Sequence, residues 1–270
     1  MRQDHMWAVF KRTFKSRRVI TLVYTLAGIG FLLLYISLFP SIKAQSASLE
    51  QLLKAYPDSL MKAFNIDLAN YVTIGGYISS EMFSFIWPLI LFFMVIGYAG
   101  GELAGEVRER TIEVTLSQPV SRLKIYFGKY LCGLFLLAAF NFLTILSIPL
   151  LLAAFNIDYQ FSPFLHMSIL GLIFGLAVYS FAFFLSAIFY DKGKVYFISG
   201  GLLVVMYVFN IIASLKENLK DFHYLSFFYY FNANNALLHS HIDHLAYWVF
   251  LGVTVASVIL GAIIFQKRDF

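Results

Sequence analysis

Charge is scarce in this 270-residue chain. Only 13% of its residues are Asp, Glu, Lys or Arg, against roughly 25% in an ordinary soluble domain. That shortage excludes a solvated globular protein. Cysteine is scarcer still. Cys132 stands alone, so an internal disulfide and a cysteine-based zinc site are both excluded, and its apolar surroundings suit a packing role. No G-x-x-x-x-G-K-[ST] loop is present, because Gly128-Lys129 is followed by Tyr130 and Gly193-Lys194 by Val195. ATP phosphates therefore cannot be cradled by that device. The centres of the apolar runs hold no Asp, Glu, Lys or Arg, the groups that ion- and proton-coupled transporters place in the membrane. No Ser, His and Asp set falls at one depth, which argues against an intramembrane hydrolase.

Apolar sequence fills the rest: 60% of the residues are hydrophobic and 19% aromatic. Several runs reach the roughly 20 residues that cross a bilayer. The expected fold is all-α and polytopic, one membrane domain over 1–270 with spans near 19–39, 83–101, 123–152, 163–190, 195–213 and 244–265. Pro40 is expected to close span 1, and Trp87-Pro88 to kink span 2. Span 3 is longer than a bilayer core needs, so its first turns are expected in the interface, where Lys124 and Lys129 snorkel.

Between the spans lie more polar segments. In residues 1–18, Trp7, Phe10 and Phe14 share one helical face, with Lys11, Arg12, Lys15 and Arg18 largely off it. This is the pattern of an interfacial helix. A cleaved signal peptide does not fit, since no A-x-A-like site follows the first apolar run and five more spans do. Residues 41–80 repeat Leu49, Leu52, Leu53, Tyr56 and Leu60 at helical spacing, which predicts outer amphipathic helices. Residues 214–243 are polar at both ends and aromatic at 227–231, which predicts an interfacial or re-entrant helix.

The net charge of +5 raises the question of nucleic acid, but its distribution describes membrane topology instead. With both termini inside, the outer Lys and Arg are Lys43, Lys54, Lys62, Lys216 and Lys220. The other fifteen of the twenty, including every arginine, are inside. The positive-inside rule then places both termini in the cytoplasm of a cell-membrane protein.

Particular residues stand out against this frame. Gly97, Gly101 and Gly105 repeat at i, i+4 and i+8, a spacing that lets another helix approach closely. Asn141 is the main polar side chain at mid-membrane depth, suited to an interhelical hydrogen bond or to lining a pathway. Glu102 and Glu106 lie one turn apart where span 2 leaves the membrane. They either face the inner end of a pathway or pair with Lys124 or Lys129. At the outer mouth of span 6, His239, His241, Asp243 and His244 are close in sequence. They make either a metal site or a polar helix entrance capped by Ser240 or Asp243.

The most charged stretch is the connector between spans 2 and 3, over 102–122. Glu106 to Leu116 spans about three helical turns, Val107, Thr111 and Val114 share one side, and Pro119 ends the helix. Arg108, Glu109 and Glu113 supply charge elsewhere. A short helix of mixed charge held by two spans suits a docking element.

The connector reads EVRERTIEVTLSQPVSR over 106–122, followed by Gly128-Lys129. It resembles the signature of ABC type-2 transporter permease subunits, roughly E-x-x-x-G-T-x-E-x-L-L-x-x-P-x-x-R and then G-K. Glu106, Thr111, Glu113, Leu116, Pro119, Arg122, Gly128 and Lys129 match. Arg110 stands where the family has glycine and Thr115 where it has the first leucine, so the helix is expected to continue through Arg110. The six-span layout and the terminal Lys267-Arg268-Asp269 are also similar to the family.

The resemblance implies a membrane half-transporter that binds no cofactor itself. It implies a second permease copy, identical or related, and two cytosolic ATPase subunits that carry ATP and Mg. The connector, with Glu106, Arg108, Glu109, Arg110, Thr111, Glu113, Leu116, Pro119 and Arg122, becomes the coupling helix that docks on the ATPase. The expected function is ATP-driven export of a hydrophobic or amphipathic cargo such as a peptide, lipid or drug-like molecule. Two other readings stay open: a membrane enzyme acting on lipid at the outer face through its histidines, and an ATPase-linked component that transmits force without moving cargo.

Overall fold

Hydrocarbon offers no partner to a free N–H or C=O, so long apolar runs close their hydrogen bonds internally as helices. The computed structural model follows this rule and describes residues 4–45, 48, 61, 70–113, 120–215 and 217–268. Six helical stretches are long and apolar enough to cross a membrane: Met6–Ala44, Ile74–Arg108, Arg122–Ala154, Ser162–Ile188, Lys192–Leu215 and His244–Lys267. They are spans 1 to 6. No strand occurs among the described residues, and the protein is an all-α multi-pass membrane protein.

Span 1 belongs to one unbroken helix, Asp4–Ala44. At 1.5 Å per residue it is about 60 Å long, twice the hydrocarbon thickness. The segment expected as a separate interfacial helix is continuous with it. Phe10 and Phe14 do not form a free face, because both meet Phe135 of span 3 edge-on, at 6.2 and 5.9 Å. Pro40 lies inside the helix and does not close it. The outer segment expected over 41–80 lies largely outside the described residues.

Span 2 turns π-helical twice. A π-helical turn at Ser79–Ile86 precedes Trp87–Gly100, and a second one, Gly101–Gly105, precedes the short helix Glu106–Arg108. Pro88 explains the first. It has no N–H for the Ser84 carbonyl, and its ring would crowd that carbonyl in a regular α-turn. The wider turn makes room, and the Trp87 N–H donates five residues back to Met82. Span 3 breaks at Leu146, where the ring of Pro149 meets the carbonyl four residues earlier, at Ile145.

Span 4 is the hub. Protein buries 72% of its most apolar window, against 17% for span 5, which lies at the edge of the bundle. The segment after span 5 folds as three short helices, Glu217–Leu225, Phe227–Tyr230 and Ala233–His239. It dips into the bundle: Phe231 is buried, stacks on Phe174 at 4.3 Å, and lies nearly parallel to Trp87. Trp87 is itself fully buried and donates its indole N–H to Thr144 of span 3 at 3.1 Å.

Candidate functional site

Helices that alternate in direction bring four parts of the chain to one end of the bundle. These are the start of span 1, the span 2–3 connector, the turn between spans 4 and 5, and the end of span 6. Charge that is spread along the sequence becomes a cluster there.

Its centre is Lys129, whose side chain is 2% exposed. The ammonium lies 2.5 Å from Glu106 Oε1 and 3.6 Å from Glu102 Oε2, and it donates to the Glu102 carbonyl at 2.6 Å. Glu102, also buried, accepts a 2.7 Å bond from Arg17 Nε of span 1. Two cations and two carboxylates thus form a neutral group, buried at Lys129 and Glu102 and partly exposed at Arg17 and Glu106, that joins spans 1, 2 and 3. Of the two alternatives for Glu102 and Glu106, the structure shows pairing with Lys129. Removing one member of such a group strands a buried charge, at a cost of about 3–5 kcal/mol.

Local sequence explains how the group assembles. Thr13, Arg17, Thr21 and Thr25 recur every four residues, so they share one face of span 1, and the three threonines are buried. The Thr21 hydroxyl donates to the Arg17 carbonyl, and the Thr25 hydroxyl to that of Thr21, so the polar groups of this face are satisfied locally. A Cβ on Gly101 would lie 2.4 Å from Arg17 Nη2, so this glycine admits the guanidinium. A Cβ on Gly128 would lie 3.1 Å from the Met6 carbonyl and 3.2 Å from Val9. Gly128 therefore lets the start of the first helix lie against span 3, one residue before Lys129 enters the cluster.

Just past this root the helix of the connector is interrupted at 109–111 and resumes at Ile112. Arg110 adopts a left-handed conformation, with φ of 56°. Its N–H donates to the Val107 carbonyl at 3.1 Å, and the Thr111 N–H donates to that of Glu106 at 3.0 Å. These two bonds are a Schellman cap. Arg110 occupies the position in it that favours glycine, which corrects the expectation of a helix running on from Glu106 through Arg110. Beyond the cap, Ile112 is buried in the bundle core while Thr111 and Glu113 are exposed. Leu116 and Pro119 lie outside the described residues.

Two exposed ion pairs tie the connector to the turn between spans 4 and 5. Arg108 lies 3.5 Å from Asp191, and Lys192 lies 3.2 Å from Glu109. At the start of span 3, Arg122 Nη1 donates to the carbonyls of Gln266 and Arg268 at the end of span 6. Arg268 in turn donates to the Ala187 carbonyl of span 4 at 2.7 Å and lies over the Tyr190 ring. Every described element at this end is bonded to the connector or to its two flanking spans.

Other singled-out residues sit elsewhere. Asn141 is fully buried and donates to the Ser168 carbonyl at 2.9 Å, a bond between spans 3 and 4. Neither Asn141 nor Glu102 lines either of two cavities beside span 2. Of the glycine series, Gly101 meets Arg17, Gly105 meets the Gly100 carbonyl of its own span, and Gly97 meets nothing within 4 Å. His239 ends one short helix, Ser240 turns left-handed, and Asp243 caps span 6 by accepting from the Leu245 N–H at 2.9 Å. Among the described residues no three His, Cys, Asp or Glu side chains meet in a metal-binding group.

Sequence reasoning missed Arg17, Asp191 and Lys192 as partners of the connector. A signal existed for Arg17, in the every-fourth-residue polar series that runs from Thr13 to Thr25.

No curated protein matches this chain. The family model described as "ABC-2 family transporter protein" matches residues 6–270, nearly the whole length, with the connector and its root inside the match. The chain belongs to that family: it is a multi-pass membrane permease of an ABC transporter.

Proposed function

We propose that this permease is one half of the membrane part of an ATP-driven exporter. A second permease, identical or related, completes the pathway, and two cytosolic ATPase subunits bind ATP and Mg and hydrolyse the ATP. The connector lies in the cytoplasm of a cell-membrane protein, in keeping with the fifteen-to-five division of Lys and Arg. The cargo is hydrophobic or amphipathic, which suits spans without charge at their centres.

The observation that carries this reading is the contrast within the connector. Its root is fixed by the buried Lys129 and Glu102 together with the half-buried Glu106 and Arg17. Just beyond it, Arg108 and Glu109 are tied to the span 4–5 turn by exposed pairs, each worth about 0–1 kcal/mol, while Ile112 packs into the bundle core and Glu113 is exposed. A partner that pushes on Glu113 and its neighbours can exchange the weak pairs while the root carries the displacement into spans 1, 2 and 3. Glu109, Arg110 and Thr111 form the bend between root and tip.

Complex formation tests the proposal. Permease co-expressed with the cognate ATPase is expected to elute from size exclusion as a complex holding two ATPase chains. Reversing the charge of Glu113 to Lys is expected to weaken that complex at least several-fold while leaving the melting temperature of the permease unchanged. A permease that elutes alone, or a complex indifferent to Glu113→Lys, contradicts it.

A further inference from the structure

Two cavities lie side by side along span 2. One, of about 180 Å³, is lined by Arg17, Thr21, Tyr98 and Tyr196 among others. The second is an apolar groove of about 520 Å³ between spans 2 and 5, lined by side chains such as Phe85, Phe92, Leu203 and Val204. Phe93, Gly97 and Tyr196 line both, so the two adjoin at these residues. A volume of this size falls within the roughly 300–1,000 Å³ of small-molecule sites.

The polarity of the pair has a direction. Arg17 is one of the charged residues that close one end of the bundle, whereas Phe85 lies twelve residues before the shared Gly97 along span 2. That is about 18 Å towards the other end of the bundle. A molecule with its head at Arg17 would point its tail towards the bilayer interior, as an inner-leaflet amphiphile does. The charge on view is a guanidinium. Glu102 takes its Nε from behind, the Tyr98 ring lies 5.7 Å from Cζ, and the side chain remains 28% exposed. A guanidinium with donors to spare favours a planar or tetrahedral oxyanion over a neutral head.

We propose that these cavities are one bipartite site, in which Arg17 holds the anionic head of an amphiphile and the groove between spans 2 and 5 takes its apolar tail. The head is a phosphate, carboxylate or sulfate. The inference rests on the transport reading for its meaning, since it names the chemistry of that cargo, but binding itself is testable on the permease alone.

Gly97 supplies the clean variant. It lines both cavities, and a Cβ there would meet nothing within 4 Å. Leucine also suits a helix better than glycine does. Gly97→Leu should therefore fold and fill the place where the two cavities adjoin. A second variant, Arg17→Met with Glu102→Gln, removes the head contact without stranding a charge and leaves Lys129 with Glu106.

The experiment is calorimetric titration of the permease in amphipol with dodecyl phosphate, dodecyl maltoside and inorganic phosphate. Dodecyl phosphate is expected to bind at least tenfold tighter than the maltoside, and inorganic phosphate alone not measurably. Gly97→Leu is expected to weaken dodecyl phosphate at least tenfold. The double variant is expected to bind both amphiphiles equally. Full competition by phosphatidic acid would assign the head chemistry to a membrane lipid, and no competition would assign it to a single-chain amphiphile; both support the site. Unchanged affinity in Gly97→Leu, equal affinity for both amphiphiles in the unsubstituted protein, or binding of phosphate alone overturns it. Failed binding with intact ATPase coupling overturns this inference alone, and intact binding in a permease that couples to no ATPase overturns the transport reading alone.

Discussion

Lys129 holds Glu102 twice, by a 2.6 Å bond to its main-chain carbonyl and by a 3.6 Å ion pair to its carboxylate. The first contact reads the backbone of the π-turn at Gly101–Gly105, and the second reads the side chain. Span 3 therefore senses both the position and the charge of the point where span 2 becomes the connector.

Charge balance at this point predicts an asymmetric pair of variants. Lys129→Met is expected to cost about 3–5 kcal/mol, because it leaves Glu106 and part of Glu102 buried without a cation. Adding Glu106→Gln is expected to recover most of the loss, since Arg17 keeps Glu102 neutralised. Thermal unfolding in detergent checks both. Equal melting temperatures for the single and double variants would contradict the shared-charge account.

Arg110 predicts a gain. A non-glycine residue in the left-handed region costs roughly 1–2 kcal/mol. Arg110→Gly is expected to relieve about 1 kcal/mol of this, after the entropy of a more flexible unfolded chain is counted. Arg110→Ile is expected to destabilise, because a β-branched residue is poorly accommodated at positive φ. The order of melting temperatures should be Gly, Arg, Ile. The reverse order would mean that the cap is not formed.

The glycines of spans 2 and 3 predict opposite responses to size. A Cβ on Gly133 would lie 2.2 Å from the Tyr179 hydroxyl and 2.4 Å from the Tyr98 ring. Gly133→Val is therefore expected to destabilise by about 1–3 kcal/mol through overpacking. Gly97→Val should be tolerated. Melting temperatures that fall equally for both would contradict the packing described.

His223 predicts a pH effect confined to the segment between spans 5 and 6. Burial holds its imidazole below the ordinary value of 6.5; Asp221 opposes the shift and Lys220 adds to it. The ring stacks on Tyr229 at 3.9 Å, and its buried Nε2 has no hydrogen-bond partner among the described residues. The folded state thus favours the neutral ring. Its contribution is fully present above about pH 6.5 and is lost as pH falls through the lowered folded value. Hydrogen exchange across 217–239, corrected for intrinsic rates, is expected to quicken between pH 7.5 and 5, and His223→Phe to abolish the change. A pH-independent rate in the unsubstituted protein would contradict this.

The spans were legible because their signal is local: twenty apolar residues in a row leave the backbone no alternative to a helix. The charge cluster was not. Arg17 and Glu102 are 85 residues apart, and Arg17 looks in sequence like any other cation of the basic N-terminal segment. The motif residue Lys129 was visible, but its buried partners follow from helix packing. Arg110 was legible as a departure from glycine and was read the wrong way. Its side chain suggested a continuing helix, whereas the hydrogen bonds of the cap fix the backbone whichever residue stands there. The Gly97, Gly101 and Gly105 series has one spacing but three environments, since spacing sets the helix face and says nothing of what lies opposite.

The central claim is that the connector receives work from an ATPase, and ATP turnover tests it most directly. Permease and cognate ATPase are reconstituted together in liposomes, and turnover is measured with and without the permease. Glu113 is exposed and Arg122 anchors span 3 to the end of span 6. The account predicts that the permease changes turnover several-fold, and that Glu113→Ala and Arg122→Ala each remove most of that change while the complex stays folded. Turnover that is the same with the permease, without it, and with both variants would contradict the account.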